Sequence, residues 1–451
     1  MKKSILTKDK YFYITLLSLA IPMIFQYLIT FSVGLADNIM IGRLGDESVS
    51  GVYIGNQIQT VLQVVMGGVE SALLLLSAQY WGKKDKTSIV SIISIAIKIS
   101  FTIGLIFTVV CSVFPGTVLS IFTKETDVII KGVDYLSFVS YSYLFFCLTQ
   151  SMIAAMRSIE SARIGLYVSI ASLVSNIILN YIFIFGKLGL PAMGVTGASL
   201  ATLISRIIEF VIIFIYVFYV DKKIRFKFSS LKEHNNTLFK DYIKYGLPLM
   251  AGQLVWGVNL TANSIILGHL TTSVITATSL ANTLNSLMYV GMNGLAGAIG
   301  VIIGKEVGSG DLSKIKEYSR TTQIILLMFG LFSSLMFWLL RDPYISLYNI
   351  SSDAAEVTRQ FINVLRVTGI GTCYQAGSLM GLIKSGGDVK FVFKNDTIHV
   401  FLIVIPSALI AFFLGAEAWV IFGLLKIDQL LKCIPAFFKI RSYNWMKNLT
   451  R

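Results

Sequence analysis

Residues 22–45 return 226 residues later in a diverged copy: PMIFQYLITFSVGLADNIMIGRLG becomes PLMAGQLVWGVNLTANSIILGHLT. At that offset, residues 22–85 align without gaps on 248–311, with 13 identities in 64 positions. They include Pro22/Pro248, Ala36/Ala262, Gly42/Gly268, Leu44/Leu270, Asn56/Asn282, Gly68/Gly294, Gly82/Gly308 and Asp85/Asp311. Shared apolar composition does not place matches on Gly, Pro, Asn and Asp, where backbone geometry or polar contact restricts the choice. Later landmarks keep nearly the same spacing, with Pro115/Pro343 at 228 and Arg157/Lys384 at 227. A chain duplicated in this way must fold as two similar units.

Both copies of the repeat are apolar enough to cross a bilayer. Of the 451 residues, 55% are hydrophobic and 14% charged, more apolar surface than a soluble domain of this length can hide. The expected class is an all-α integral membrane protein, and the apolar runs give twelve transmembrane helices. Their approximate limits are 14–41, 51–79, 89–113, 133–156, 165–186, 192–220, 246–269, 275–303, 321–340, 361–383, 395–415 and 418–438. Residues 221–244, with seven basic side chains, divide these runs six and six. We therefore expect an N-terminal six-helix lobe over 1–220, a linker over 221–245 and a C-terminal lobe over 246–451. Six helices per lobe make both lobes enter the membrane in the same direction, a parallel repeat.

The net charge of +14 has the same explanation. Of 38 Lys and Arg, 27 fall in the termini and the even-numbered connections, which places both termini in the cytoplasm under the positive-inside rule. Only Lys98, Arg206, Arg366, Lys426 and Lys432 lie within spans. This distribution argues against nucleic-acid binding. Cys111, Cys147, Cys373 and Cys433 all fall in spans without metal-ligand spacing, so neither a disulfide framework nor a metal site is expected. The first apolar run is too long for a signal peptide and has no small-residue cleavage site, so it is expected to remain as a span. His234, His269 and His399 are scattered, and a P-loop lysine motif is lacking, which leaves no basis for zinc chemistry or ATP hydrolysis. The expected protein is not an enzyme and carries no cofactor.

Asp37 stands out because the second copy has Asn263 at that place. An acid inside a span costs about 3 kcal/mol or more, which makes it a functional candidate. Gln26, Thr30, Gly34 and Asp37 are spaced 4, 4 and 3, on one helical face that should look into protein or a cavity. Burial favours the protonated form of a carboxyl, so such a group can take up and release a proton. The alternative is a structural acid bonded to a neighbour. The fifth helix carries a similar stripe of Ser169, Ser172, Asn176 and Asn180, and the sixth places Thr202, Arg206 and Glu209 on one face. Arg206 and Glu209 are expected to pair. The Asn and Ser residues could equally stitch helices together. Glu70 on the second helix is either a further titrating group or an acid near the membrane boundary; Asp134, Asp396 and Asp428 are similarly ambiguous. In the second lobe, Gln253, Trp256, Asn259 and Asn263 could line a substrate wall. Met288 and Met292 could form an adaptable apolar surface, with ordinary helix packing as the plainer reading.

LADNIMIGRLG (35–45), AQYWGKKD (78–85) and NIILNYIFIFGKLGLPAMGVTGASLAT (176–202) resemble the multidrug and toxic compound extrusion (MATE) family. GLPLMAGQ (246–253), GKEVGSGD (304–311) and IKSGGDVKF (383–391) are the second-half counterparts, so the resemblance covers nearly the whole chain. It implies a twelve-helix, two-lobed antiporter that expels cationic or amphipathic small molecules in exchange for protons or sodium. It also implies a monomer in the plasma membrane. In that family the acid matching Asp37 has the coupling role, and polar residues matching Asn176, Asn180 and Thr202 gather around it. Some members have a second acid where Asn180 stands. Sodium-coupled relatives use a seventh-helix Glu where this chain has Trp256, so proton coupling is the expectation and sodium the alternative. The competing function is a flippase for lipid-linked oligosaccharides from the related superfamily. Such a protein would need a cationic cavity for pyrophosphate, whereas the first helix offers an acid and no Arg before Arg43. A membrane-embedded enzyme or assembly scaffold is a third class, without a catalytic constellation to support it.

Overall fold

The computed structural model describes residues 6–232 and 235–451; His234 lies outside the described residues. The first six long helices are Lys10–Ile41, Asp46–Gly82, Lys86–Val113, Thr126–Ser158, Arg163–Phe185 and Gly194–Ile215. The sixth continues as a π turn over Tyr216–Val220. Then come Asn236–Gly268, Thr272–Ser309, Leu312–Ile345 and Ser352–Ala376, the last followed by a π segment at Gly377–Ile383. The eleventh element joins Val389–Ile398 to Ile405–Phe413 through another π segment, His399–Val404. The twelfth is broken into Ala418–Leu425, Asp428–Leu431 and Cys433–Ser442. Among the described residues the only β pairing is one isolated bridge, Gly387 to Met446.

Nine of these helices are long and apolar enough to cross a membrane among the described residues. The expected seventh, tenth and twelfth spans fall outside that set for visible reasons. The seventh helix sets Gln253, Asn259 and Asn263 among its apolar residues, the tenth carries Asp353, Glu356, Arg359 and Arg366, and the twelfth is interrupted. Helices also outrun the apolar runs. The ninth starts at Leu312 rather than near 321, the tenth at Ser352 rather than near 361, and the seventh at Asn236, inside the expected linker. Hydropathy ends where the apolar stretch ends, while backbone hydrogen bonding continues through flanking polar turns.

The chain forms two compact units. Of the described residues, one holds 25–81 and 85–246; the other holds 6–24, 82–84 and 247–451. The first helix is thus shared, divided two residues beyond Pro22. Within the first unit the third helix packs on the fourth, and the sixth on the fourth and fifth. Within the second, the tenth packs on the eighth and ninth.

The duplication reappears as matched local physics. Asp85 caps the third helix by accepting from Ser88 N at 3.0 Å, and Asp311 caps the ninth by accepting from Lys314 N at 3.0 Å. Each satisfies an amide that the helix start would leave orphaned. Helix contacts repeat as well. A Cβ on Gly104 would lie 2.9 Å from Leu144 Cα and 3.2 Å from Cys147 Cβ. In the other unit a Cβ on Gly330 would lie 3.0 Å from Ile370 Cα and 3.4 Å from Cys373 Cβ. Both glycines allow close backbone approach, the usual device where lipid supplies no hydrophobic drive between helices.

The turn after the tenth helix, which reads IKSGGDVKF, is held by the chain's own C-terminal segment. Lys439 Nζ and Lys447 Nζ each reach an Asp388 carboxylate oxygen at 2.7 Å. Lys447 N donates to Gly386 O at 2.7 Å, and the buried Trp445 ring lies where a Cβ on Gly386 would have to go. Burial alone would raise the Asp388 pKa, but the two ammonium groups hold it below the usual carboxylate range. Stability from these bonds is therefore present at neutral pH and is lost as pH falls through that depressed value. Asp388→Asn is expected to destabilise the C-terminal unit by about 2 kcal/mol. A lowered melting temperature and faster tryptic release of the C-terminal segment at neutral pH would register it; an unchanged melting temperature would refute it.

Candidate functional site

Asp37 sits in the last third of the first helix, half-buried. Asn180 donates to its Oδ1 from Nδ2 at 2.5 Å, and the same amide nitrogen reaches Asn176 Oδ1 at 3.1 Å. Asn176 also faces the Asp37 carboxyl, and the Arg206 guanidinium attracts it. Asn176 and Asn180 are 2% and 0% exposed, so their amides are fixed by protein rather than by solvent. The fifth-helix stripe is buried along its whole length, Ser169 and Ser172 included. The spacing of 3, 4 and 4 puts these four on one face, and that face is inward.

Arg206 does not serve Asp37 alone. Its Nη1 lies 2.9 Å and 3.1 Å from the two oxygens of Glu209, and its guanidinium stacks 5.1 Å from the Phe146 ring centroid. The expected Arg206–Glu209 pair is present. Its charge is thus largely matched within the sixth helix, leaving neutral amides as the direct partners of Asp37.

Tyr135, on the fourth helix, is a neighbour that sequence reasoning missed. Its hydroxyl donates to Asn56 Oδ1 at 3.1 Å, lies within hydrogen-bonding reach of Thr202 and senses the Asp37 charge. The repeat marks Asn56, though without a role. A lone Tyr in a span carries no periodic signal, so only the packing of the fourth helix could reveal Tyr135.

Other expected residues fall elsewhere. Gln26, eleven residues before Asp37, is about 16 Å away along the helix axis. It is buried, and its Oε1 accepts from Arg157 Nη2 at 2.9 Å. Arg157 also stacks on the Tyr27 ring, with its Cζ 5.3 Å from the centroid. The Thr30 hydroxyl bonds back to Gln26 O at 3.0 Å, and a Cβ on Gly34 would meet nothing within 4 Å. Glu70 is half-buried and faces Tyr242 and Cys147 of the same unit.

In the other unit Asn259 and Asn263 are buried, and their amide oxygens meet no partner among the described residues. Gln253 is half-buried, while Trp256 is 49% exposed. Met288 and Met292 are buried, with Met288 lying against Gly369. Among the described residues no group of three or more His, Cys, Asp or Glu could hold a metal.

A family model, MatE, matches residues 22–182 and 248–413, one segment in each half of the duplication. A probable multidrug resistance protein NorM from Oceanobacillus iheyensis is 25% identical over 89% of this chain and 89% of its own length. The uncharacterized transporter YisQ of Bacillus subtilis is 24% identical over 97% of this chain and 96% of its own. Among solved structures, an outward-facing multidrug resistance MATE family transporter of the MOP superfamily superposes with a TM-score of 0.86 at 18% identity, covering 97% of this chain and 98% of that one. The Vibrio cholerae MATE transporter VcmN in its bent form gives 0.85 at 17% identity, covering 97% of this chain and 99% of that one. Those structures share the twelve-helix, two-lobed architecture. The chain belongs to the MATE family of multi-pass membrane transporters and is not an enzyme.

Proposed function

We propose that this transporter exports cationic or amphipathic small molecules across the plasma membrane in exchange for protons, with Asp37 carrying the proton. The observation that carries this reading is the Asp37–Asn180 contact. A primary amide is both donor and acceptor. With Asp37 ionised, Asn180 donates through Nδ2, and its buried Oδ1 meets no partner among the described residues. When Asp37 takes up a proton, the acid gains a donor, and the Asn180 amide oxygen becomes its natural acceptor after a half-turn of the amide. The contact therefore survives protonation while its polarity reverses and its charge disappears. Loss of that charge removes the attraction for a cationic substrate and the pull from Arg206. The first helix, relieved of it, can repack around Pro22. Alternating access with both termini cytoplasmic, by a monomer, completes the reading.

NorM relatives named as probable multidrug resistance proteins support the substrate class. The test is efflux of a cationic dye from proteoliposomes under an imposed proton gradient, an imposed sodium gradient, or neither. Export driven by the proton gradient alone is expected. Export driven only by sodium would replace the coupling ion. Absence of dye transport, with translocation of a lipid-linked oligosaccharide instead, would move the protein to the flippase class.

A further inference from the structure

The C-terminal unit contains a buried ionic cluster of its own, which the proton cycle above does not use. Lys432 Nζ lies 2.9 Å from Asp396 Oδ1 and 2.9 Å from Asp428 Oδ2. Lys432 is 6% exposed and Asp428 1%. Asp396 comes from the eleventh helix, whereas Asp428 and Lys432 are one turn apart where the twelfth is broken. Gln429 Nε2 donates to both Asp428 oxygens, at 2.9 Å and 3.0 Å, and Gln429 Oε1 accepts from Gln375 Nε2 at 2.8 Å. Tyr289 from the eighth helix faces Asp428, as does Lys426, whose ammonium lies 5.7 Å from the Phe422 ring centroid.

Burying the Lys432 and Asp428 charges costs several kcal/mol per ion unless geometry compensates. Here it does: one compact ammonium sits between two carboxylates, with the Gln429 amide completing the shell of Asp428. Lysine differs from arginine in being a point charge with no planar fork. What the two acids recognise is thus a small monovalent cation, held in this chain on a four-carbon tether. Without the tether, Lys426 would still lie on the Asp428 side, but it pairs directly with neither acid among the described residues, and the gap between the two carboxylates would again call for a cation.

We propose that Lys432 is a tethered cation filling a monovalent-cation site formed by Asp396 and Asp428, and that it keeps free sodium out of the C-terminal unit. This deepens the proton-exchange reading, because it accounts for a C-terminal unit that does no ion coupling. It rests on that reading only for this consequence; sodium binding is measured without transport, so the two can fail separately.

The experiment measures binding of radioactive sodium to the purified full chain, with choline chloride as the control salt. Lys432→Ala is expected to bind one sodium saturably, at least about tenfold more tightly than wild type, and to gain thermal stability in sodium over choline. Adding Asp428→Asn to Lys432→Ala should remove that binding, and Lys432→Arg should bind none. Lys432→Gln replaces the alanine variant if that one is not recovered. Four results overturn the proposal. One is a monodisperse neutral variant that binds no sodium, or binding that survives the added Asp428→Asn. Another is wild type binding sodium as tightly, with loss on Asp428→Asn alone. The last is failure to recover either neutral variant even in sodium while Lys432→Arg is recovered, since a diffusing cation then cannot take the ammonium's place.

Discussion

Asp37→Asn is expected to abolish the response of export to a proton gradient while leaving the protein folded. Asparagine keeps the shape of the side chain and offers Asn180 an amide oxygen in place of the carboxylate. The fold itself tolerates this residue: the second copy of the repeat has Asn263 at the matching position, buried to the same degree as its neighbour Asn259. What disappears is the exchange between a charged acceptor and a neutral donor. Gradient-driven dye efflux should fall by about 100-fold or more, equivalent to ~2.7 kcal/mol of lost coupling. The melting temperature in detergent should shift little. Downhill exchange of dye without a gradient is expected to persist, because the site still binds but no longer senses the proton. Variant proteoliposomes that concentrate dye against its gradient as well as wild type would rule out Asp37 as the proton carrier.

Much of this site could be read from spacing, because a helix converts sequence separation into direction. The stripes containing Asp37, Asn176 and Asn180 each obey 3–4 periodicity, and Asn180 reaches both other residues through direct hydrogen bonds. The same rule overreached at Gln26. It lies on the Asp37 face, yet about 16 Å of helix rise separates them, and Arg157 claims its amide. Periodicity gives the face of a helix but not the depth at which a neighbour meets it. Tyr135 was illegible for the converse reason, since its contribution depends on where another helix crosses. In the second unit, Asp396 and Asp428 looked like acids near span ends. They share one ion cluster because the twelfth helix is interrupted at residues 426–427 and again at 432, which turns Lys432 inward between them. No local signal marks that break: residues 425–433 contain neither Gly nor Pro, and the first Pro beyond is Pro435. The repeat was more informative than hydropathy. It paired Asp85 with Asp311, and both prove to cap a helix, whereas hydropathy alone misplaced several helix starts.

Glu209→Leu is expected to produce the larger loss of stability, and its pattern separates a structural ion pair from a functional one. Glu209 is buried and takes both of its hydrogen bonds from Arg206. Removing it strands a guanidinium that is itself only 21% exposed, a change that typically costs about 3–5 kcal/mol. Among the described residues, the stranded cation can turn to Asp37, which it already attracts. An Asp37 carboxylate paired with Arg206 resists protonation, so any folded Glu209→Leu protein should also lose gradient-driven export. Arg206→Leu combined with Glu209→Leu removes both charges and leaves two apolar side chains beside Phe146. This double variant is expected to recover most of the lost stability and at least part of the export, because Asp37 is again held by Asn180 and Asn176 alone. Melting temperatures and dye efflux of the two single variants and the double form a complete cycle. Strong non-additivity in both readouts is expected. Additive losses would mean that Arg206 and Glu209 act independently, and the account of Asp37 as a carboxyl shielded from its nearest cation would fall with them.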